Sequence, residues 1–194
     1  MDLTEQMQQL AKRSKSAAHR LTQLGTQQKN RCLEAMAQAL VDHQTEIRKE
    51  NARDLETAKT MQLSKAMTDR LILDTSRIEG MAQGLREIAA LPDPVGRELD
   101  RKERPNGLLL RKLATPIGVI VIIYESRPNV TADAAGLCFK SGNTTILRGG
   151  KEAIHSNQII AKLMVEAAQA CEPGFPADAI QVIPTTDRAA VPAL

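Results

Sequence analysis

Aromatic side chains are almost missing from this chain: they make up 2% of its 194 residues, with no Trp, one Tyr and two Phe. Modules that bind single strands or RNA stack bases on aromatic platforms, so the composition argues against such modules and no nucleic-acid partner is expected. Cysteine is scarce as well. Cys32, Cys138 and Cys171 are widely spaced, without a CxxC or CxxH pairing, which argues against a metal centre and a disulfide framework. No apolar run approaches the ~20 residues that cross a bilayer. The first nine residues are polar and acidic, unlike a signal peptide. The expectation is a cytoplasmic, reducing setting with no membrane partner. An excess of one charge is missing too: the net charge of +3 is spread along the chain and reads as ordinary solvated faces.

What is present is enough apolar material for a core, 42% of the residues. The first half is helical in pattern. Leu3, Met7, Leu10, Ala17, Leu21 and Leu24 recur at three- and four-residue steps, with Asp2 and Glu5 as a starting box and Gly25 as a stop. A second helix is predicted over 29–43, with Leu33, Met36, Ala37, Leu40 and Val41 inward. A third, over 45–60, is mostly polar and is expected on the surface. Ser76 and Glu79 form another capping box opening a helix to about residue 90, and Pro92 and Pro94 end the helical half.

The second half changes period. Asn106-Gly107 between charged flanks predicts a hairpin within 96–112. Residues 117–123 read as a buried strand, 131–140 as a packed helix, 144–147 as a strand, 151–171 as a helix and 179–183 as a strand. Strand, helix, strand, helix, strand predicts a parallel sheet, half of a doubly wound nucleotide-binding fold. A half sheet leaves one edge and much of one face uncovered, and the chain ends where another helix should start, so it reads as truncated.

Two strand ends carry the candidate chemistry, because open parallel sheets bind ligands beyond their carboxyl ends. After Ile123 come Tyr124, Glu125, Ser126, Arg127, Pro128 and Asn129. These polar groups either face a ligand crevice or pair locally and start the next helix. The second end is Arg148-Gly149-Gly150-Lys151. The glycines serve either as a tight turn or as a close approach for a phosphate, with helix N–H groups free near Glu152 and cations on both sides. The spacing matches neither GxGxxG nor GxxxxGK[ST]. The three cysteines have no neighbouring cation, helix start or base to activate them and read as structural. His19, His43 and His155 are scattered on predicted helices.

The runs PIGVIVIIYESRPNV (116–130) and SGNTTILRGGKEA (141–153) closely resemble the glutamate-5-semialdehyde dehydrogenase family, the gamma-glutamyl phosphate reductases of the aldehyde dehydrogenase superfamily. KNR (29–31), AMTDRL (66–71), DPVG (93–96) and GFP (174–176) extend the resemblance over essentially the whole chain. It implies an α/β fold: a helical approach to the cofactor domain (1–95), a hairpin of oligomerisation type (96–115) and the first half of a Rossmann-like NADP-binding sheet (116–194), with the catalytic domain absent. It implies reduction of L-glutamyl 5-phosphate to L-glutamate 5-semialdehyde in proline synthesis, through a cysteine thioester and hydride from NADPH. The nucleophilic cysteine of that family lies in a later domain, so no catalytic residue and no turnover are expected of this chain. A homo-oligomeric intact enzyme and glutamate 5-kinase as partner are also implied.

Carried over residue by residue, Ile123, Tyr124, Arg148, Gly149, Gly150, Lys151, Pro184 and Thr185 are expected on the cofactor. Arg148 matches a ribose-contacting Lys of relatives, and Lys151 stands where NAD-preferring relatives often carry Glu, which favours NADP. Glu125, Ser126, Arg127 and Asn129 are expected near substrate or oxyanion. The oxyanion Asn of the superfamily aligns with Arg127 counted from Pro116, with Glu125 counted back from Gly142, or with Asn129 if the loop bulges. An acylating aldehyde dehydrogenase of another substrate and a non-catalytic interaction module are the alternatives.

Overall fold

The computed structural model describes residues 2–194. Helix α1 (Leu3–Leu21) opens on the expected box: the Asp2 carboxylate accepts from the Glu5 N–H at 2.7 Å, and the Glu5 carboxylate accepts from the Asp2 N–H at 3.2 Å. It stops at Leu21 rather than at Gly25. Gly25 instead begins α2 (Thr26–Asp42), where its N–H donates to the Gln28 side chain. Then come α3 (Gln44–Thr60), the short α4 (Lys65–Leu71) and α5 (Thr75–Ala90). Helix α5 starts on Asp74, whose carboxylate accepts from the Arg77 N–H at 2.8 Å, and not on the Ser76–Glu79 box. Both residue types cap well. Asp74 prevails where the chain just before it is already pinned, the Leu73 N–H donating to the buried Asn51 side chain at 2.9 Å.

Helix α3 is not simply a surface helix. Its Asn51 and Asp54 are 2% and 1% exposed, beside the buried Ile47 and Ala58. The main core lies where α2, with Leu33, Met36, Ala37 and Leu40 buried, packs against α5 and α7. A charged clamp closes the junction after α5. Lys29, 3% exposed, pairs with Asp93 at 2.5 Å and donates to the Lys140 carbonyl oxygen, while the Lys140 ammonium donates to Asn30 and the Ala89 carbonyl. Burial works to raise the Asp93 carboxyl but is outweighed by hydrogen bonds from Lys29, Val95 and Thr26 and by the Lys29 charge, which hold it below the ordinary range.

Strands β1 (Glu98–Glu103) and β2 (Leu109–Leu113) form the expected antiparallel hairpin, exposed along its whole length. Gly107 takes φ +80° at its turn, and Asn106 accepts from the Leu108 N–H with its side chain. The parallel sheet contains β3 (Val119–Ile123), β4 (Thr144–Arg148) and β5 (Ile180–Val182), in that spatial order. Helix α6 (Asn129–Lys140) connects β3 to β4. A 3-10 turn (Lys151–Ala153) and α7 (Ile154–Cys171) connect β4 to β5.

Helix α1 covers one sheet face, Met7 and Leu10 packing on Ile146 and Ile183; the opposite face, with Leu147 and Ile180, joins the main core. Alternation along β4 therefore sends Ile146 and Leu147 into different cores. Strand β3 departs from expectation. It is an edge strand, with Val121 43% and Ile123 58% exposed, because α1 reaches Val119 and not the residues beyond it.

Candidate functional site

The candidate site lies beyond the carboxyl ends of β3 and β4, where parallel-sheet proteins leave a crevice. The Tyr124 N–H extends the ladder by donating to the Arg148 carbonyl at 3.0 Å, and the chain then turns sharply, the Arg127 N–H donating to the Glu125 carbonyl at 2.8 Å. The Tyr124 hydroxyl lies 2.7 Å from Thr131 Oγ1, which also donates to the Asn157 side chain. Burial raises the Tyr124 phenol to about 12, so it stays protonated as part of this network. Ser126 is buried, its hydroxyl donating to the Glu152 carboxylate. Glu125, Arg127 and Asn129 are exposed at the rim.

At the end of β4 the glycine pair has a local explanation. A Cβ on Gly149 would collide with the Asn157 amide and crowd the Tyr124 ring; one on Gly150 would collide with the Glu152 carboxylate. The space is already filled by the chain's own side chains. Arg148 Nη1 donates to the Gly149 carbonyl at 2.9 Å and Nη2 to the Thr186 carbonyl at 3.3 Å, tying β4 to the loop after β5. Its Nε is buried without a partner among the described residues.

The expected free amides at the following helix are partly taken. The His155 and Ser156 N–H groups and the Ser156 hydroxyl all donate to the carboxylate of Asp54, at 3.1, 2.7 and 2.6 Å. A carboxylate from α3 thus occupies the positive end of α7. Burial raises the Asp54 carboxyl above the ordinary range despite these three bonds.

Two clefts open here. The larger, ≈ 810 Å³, is lined by Tyr124, Glu125, Ser126, Arg148, Gly150 and Lys151 from the sequence-predicted set, with Glu152, Thr186, Asp187, Arg188, Met67 and Arg70. The second, ≈ 410 Å³, lies between α4, α5 and the start of α6 and takes in Arg127, Asn129 and Asp133. Arg70 borders both. Thr185 joins Arg148, Gly149, Gly150 and Lys151 around a small crevice beside Val182. Ile123, exposed on the edge strand, and Pro184, exposed after β5, line neither cleft.

Sequence reasoning missed α4 and with it Arg70. The signal was the AMTDRL run, noted for its resemblance but not for its place. The thiols lie elsewhere: Cys32 and Cys138 are buried in the core, and burial pushes both thiols up. Cys171, at the end of α7, is exposed with its sulfur 3.9 Å from that of Cys32.

The aldehyde dehydrogenase family model matches residues 3–194. The chain is 53% identical over 190 residues to a gamma-glutamyl phosphate reductase of Paramagnetospirillum magneticum, covering 98% of this chain and 44% of the relative. It is 52% identical over 191 residues to one from Moorella thermoacetica, covering 98% of this chain and 45% of that relative. Among solved structures, the gamma-glutamyl phosphate reductase of Thermotoga maritima superposes with a TM-score of 0.91 at 37% identity, over 95% of this chain and 44% of that one. An acetylating aldehyde dehydrogenase of Geobacillus thermoglucosidasius, 16% identical with a TM-score of 0.72, shares the fold alone. This chain thus spans less than half the length of the curated relatives it matches.

Proposed function

This chain belongs to the aldehyde dehydrogenase family, and we propose that it forms the cofactor-binding part of an NADPH-dependent enzyme reducing L-glutamyl 5-phosphate to L-glutamate 5-semialdehyde. The observation that carries the reading is the meeting of two clefts at Arg70, one lined by Arg148 and Lys151 and the other by Arg127 and Asp133. The residues fit a phosphorylated dinucleotide. Two cations stand at the carboxyl end of β4, and the buried Nε of Arg148 has no partner. Arg148, Gly150, Lys151 and Thr185 would hold the ribose phosphate end, with Tyr124 beside it. NADPH, when bound, supplies the hydride.

The chain's own part in the reaction is binding and orientation, the terms that turn a bimolecular encounter into an aligned one. Glu125, Ser126, Arg127 and Asn129 border the clefts from the β3 end and are the substrate and oxyanion candidates. Of these Arg127 suits an anion best, because its fork pairs with two oxygens at once. The acyl group is passed through a cysteine thioester, which splits one hard step into two. That thiol is none of Cys32, Cys138 or Cys171, since none lines either cleft. On this reading the chain by itself gives no turnover. The 96–115 hairpin acts as an oligomerisation arm of a cytoplasmic homo-oligomer, with glutamate 5-kinase as a partner.

The test is the reverse reaction in the enzyme that carries this chain. With L-glutamate 5-semialdehyde, NADP and inorganic phosphate, NADPH absorbance should rise, and the rise should require phosphate. A phosphate-independent signal would move the assignment to an ordinary aldehyde dehydrogenase.

A further inference from the structure

The ≈ 410 Å³ cleft between α4, α5 and α6 carries charge that the protein leaves uncompensated. Asp69 and Arg77 pair with each other at 3.1 Å and cancel. Arg70 and Arg127 have no carboxylate partner among the described residues, and Asp133 has no cation partner there. Asp133 is half-buried one turn into α6. The Asn129 amide donates to its Oδ2 at 3.1 Å, and the Gly84 backbone leaves room for its Oδ1. Its orientation is therefore set while its charge is unmet. A carboxylate drawn part-way out of water is costly unless a cation meets it.

Resting on the reading above, we infer that this cleft recognises the α-amino-acid head of the acyl phosphate, with Asp133 receiving the α-ammonium and Arg127 the α-carboxylate. The unmatched protein groups are two cations and one anion. The ligand brings the complement: one cation and two anionic groups, carboxylate and phosphate. Arg70, shared with the cofactor cleft, faces the phosphate end. Ile72 and Met81 give the cleft apolar wall for the connecting methylenes. Asp133 and Arg127 are thus specificity residues, selecting an amino acid over a plain dicarboxylate.

The experiment titrates the 194-residue chain with three probes, followed by the α6 amide signals in NMR. L-glutamate carries both head groups, glutarate lacks the ammonium and 4-aminobutyrate lacks the α-carboxylate. L-glutamate should bind about tenfold or more tightly than either, the loss expected for one charge-assisted bond. Asp133→Asn should bring L-glutamate level with glutarate, and Arg127→Gln should bring it level with 4-aminobutyrate. Glutarate binding the unaltered chain as tightly as L-glutamate overturns the assignment, as does L-glutamate leaving the α6 amides unmoved. The unaltered chain decides this even if a variant fails to fold. Phosphate-dependent turnover together with equal binding of these probes would sink this inference alone, whereas phosphate-independent turnover would sink the reading beneath it.

Discussion

Strands β3 and β4 lie side by side in register, and composition ranks them the wrong way round. Val119–Ile123 is aliphatic throughout, yet Val121 and Ile123 are largely open. Thr144–Arg148 carries two threonines and an arginine, yet everything up to Leu147 is buried. Place in the sheet decides, not hydrophobicity. The central strand has a helix layer on each face, and its threonines find acceptors: Thr145 donates to the Ile120 carbonyl and Thr144 to that of Ser14. The edge strand is covered on one face and only partly on the other. The helices that follow differ in the same sense. The first turn of α7 is held by a carboxylate from α3, while α6 begins at Pro128 without a side-chain cap.

The comparison breaks most visibly in a matched pair of truncations. Leu147→Ala in the central strand should cost about 2–5 kcal/mol, the range for emptying a packed site. Ile123→Ala at the edge should stay within about 0.5 kcal/mol in denaturant unfolding. Equal losses would mean that the two strands are equally buried. Asp54→Ala should come next, at about 1–3 kcal/mol, since it strips three donors at the start of α7 of their acceptor.

The same residue gives a pH signature. Its folded-state pKa is raised, so over the window from about 4 upward the folded chain keeps a proton that the unfolded chain releases. Stability from this group therefore falls as pH rises through that window, and Asp54→Asn should flatten the slope in melting curves. Gly149→Ala should cost about 1–3 kcal/mol by overpacking against Asn157 and Tyr124. The smallest effect on stability sharpens the contrast from the other side. Val121→Lys should leave unfolding nearly unchanged and reduce self-association in light scattering, because it places a charge on the open face of the edge strand.

Much of this architecture was legible in the residues, and the failures share a cause. The Asp2–Glu5 box, the Asn106-Gly107 turn and the alternation of strand and helix are local signals, and they hold. Whether 119–123 sits at the edge or the centre depends on which strands flank it, and five aliphatic residues read alike in either place. Asn51 and Asp54 looked like solvated polar residues because their partner, Ser156, is more than 100 positions away. The seven residues of α4 are too few for a periodic pattern, so Arg70 escaped notice. From sequence the glycine pair reads either as a tight turn or as a close approach for a ligand; its packing against Tyr124, Asn157 and Glu152 is visible only in the folded chain.

The central claim is that the cations at the end of β4 make the larger cleft a site for a phosphorylated nicotinamide dinucleotide. Titrating NADPH and NADH into the chain, followed by cofactor fluorescence, tests it most directly. NADPH should bind about tenfold or more tightly than NADH, the worth of one charge-assisted contact to the extra phosphate. Lys151→Ala should reduce that preference and leave NADH unchanged. Equal affinities for the two cofactors, or a preference that Lys151→Ala leaves intact, would contradict the account.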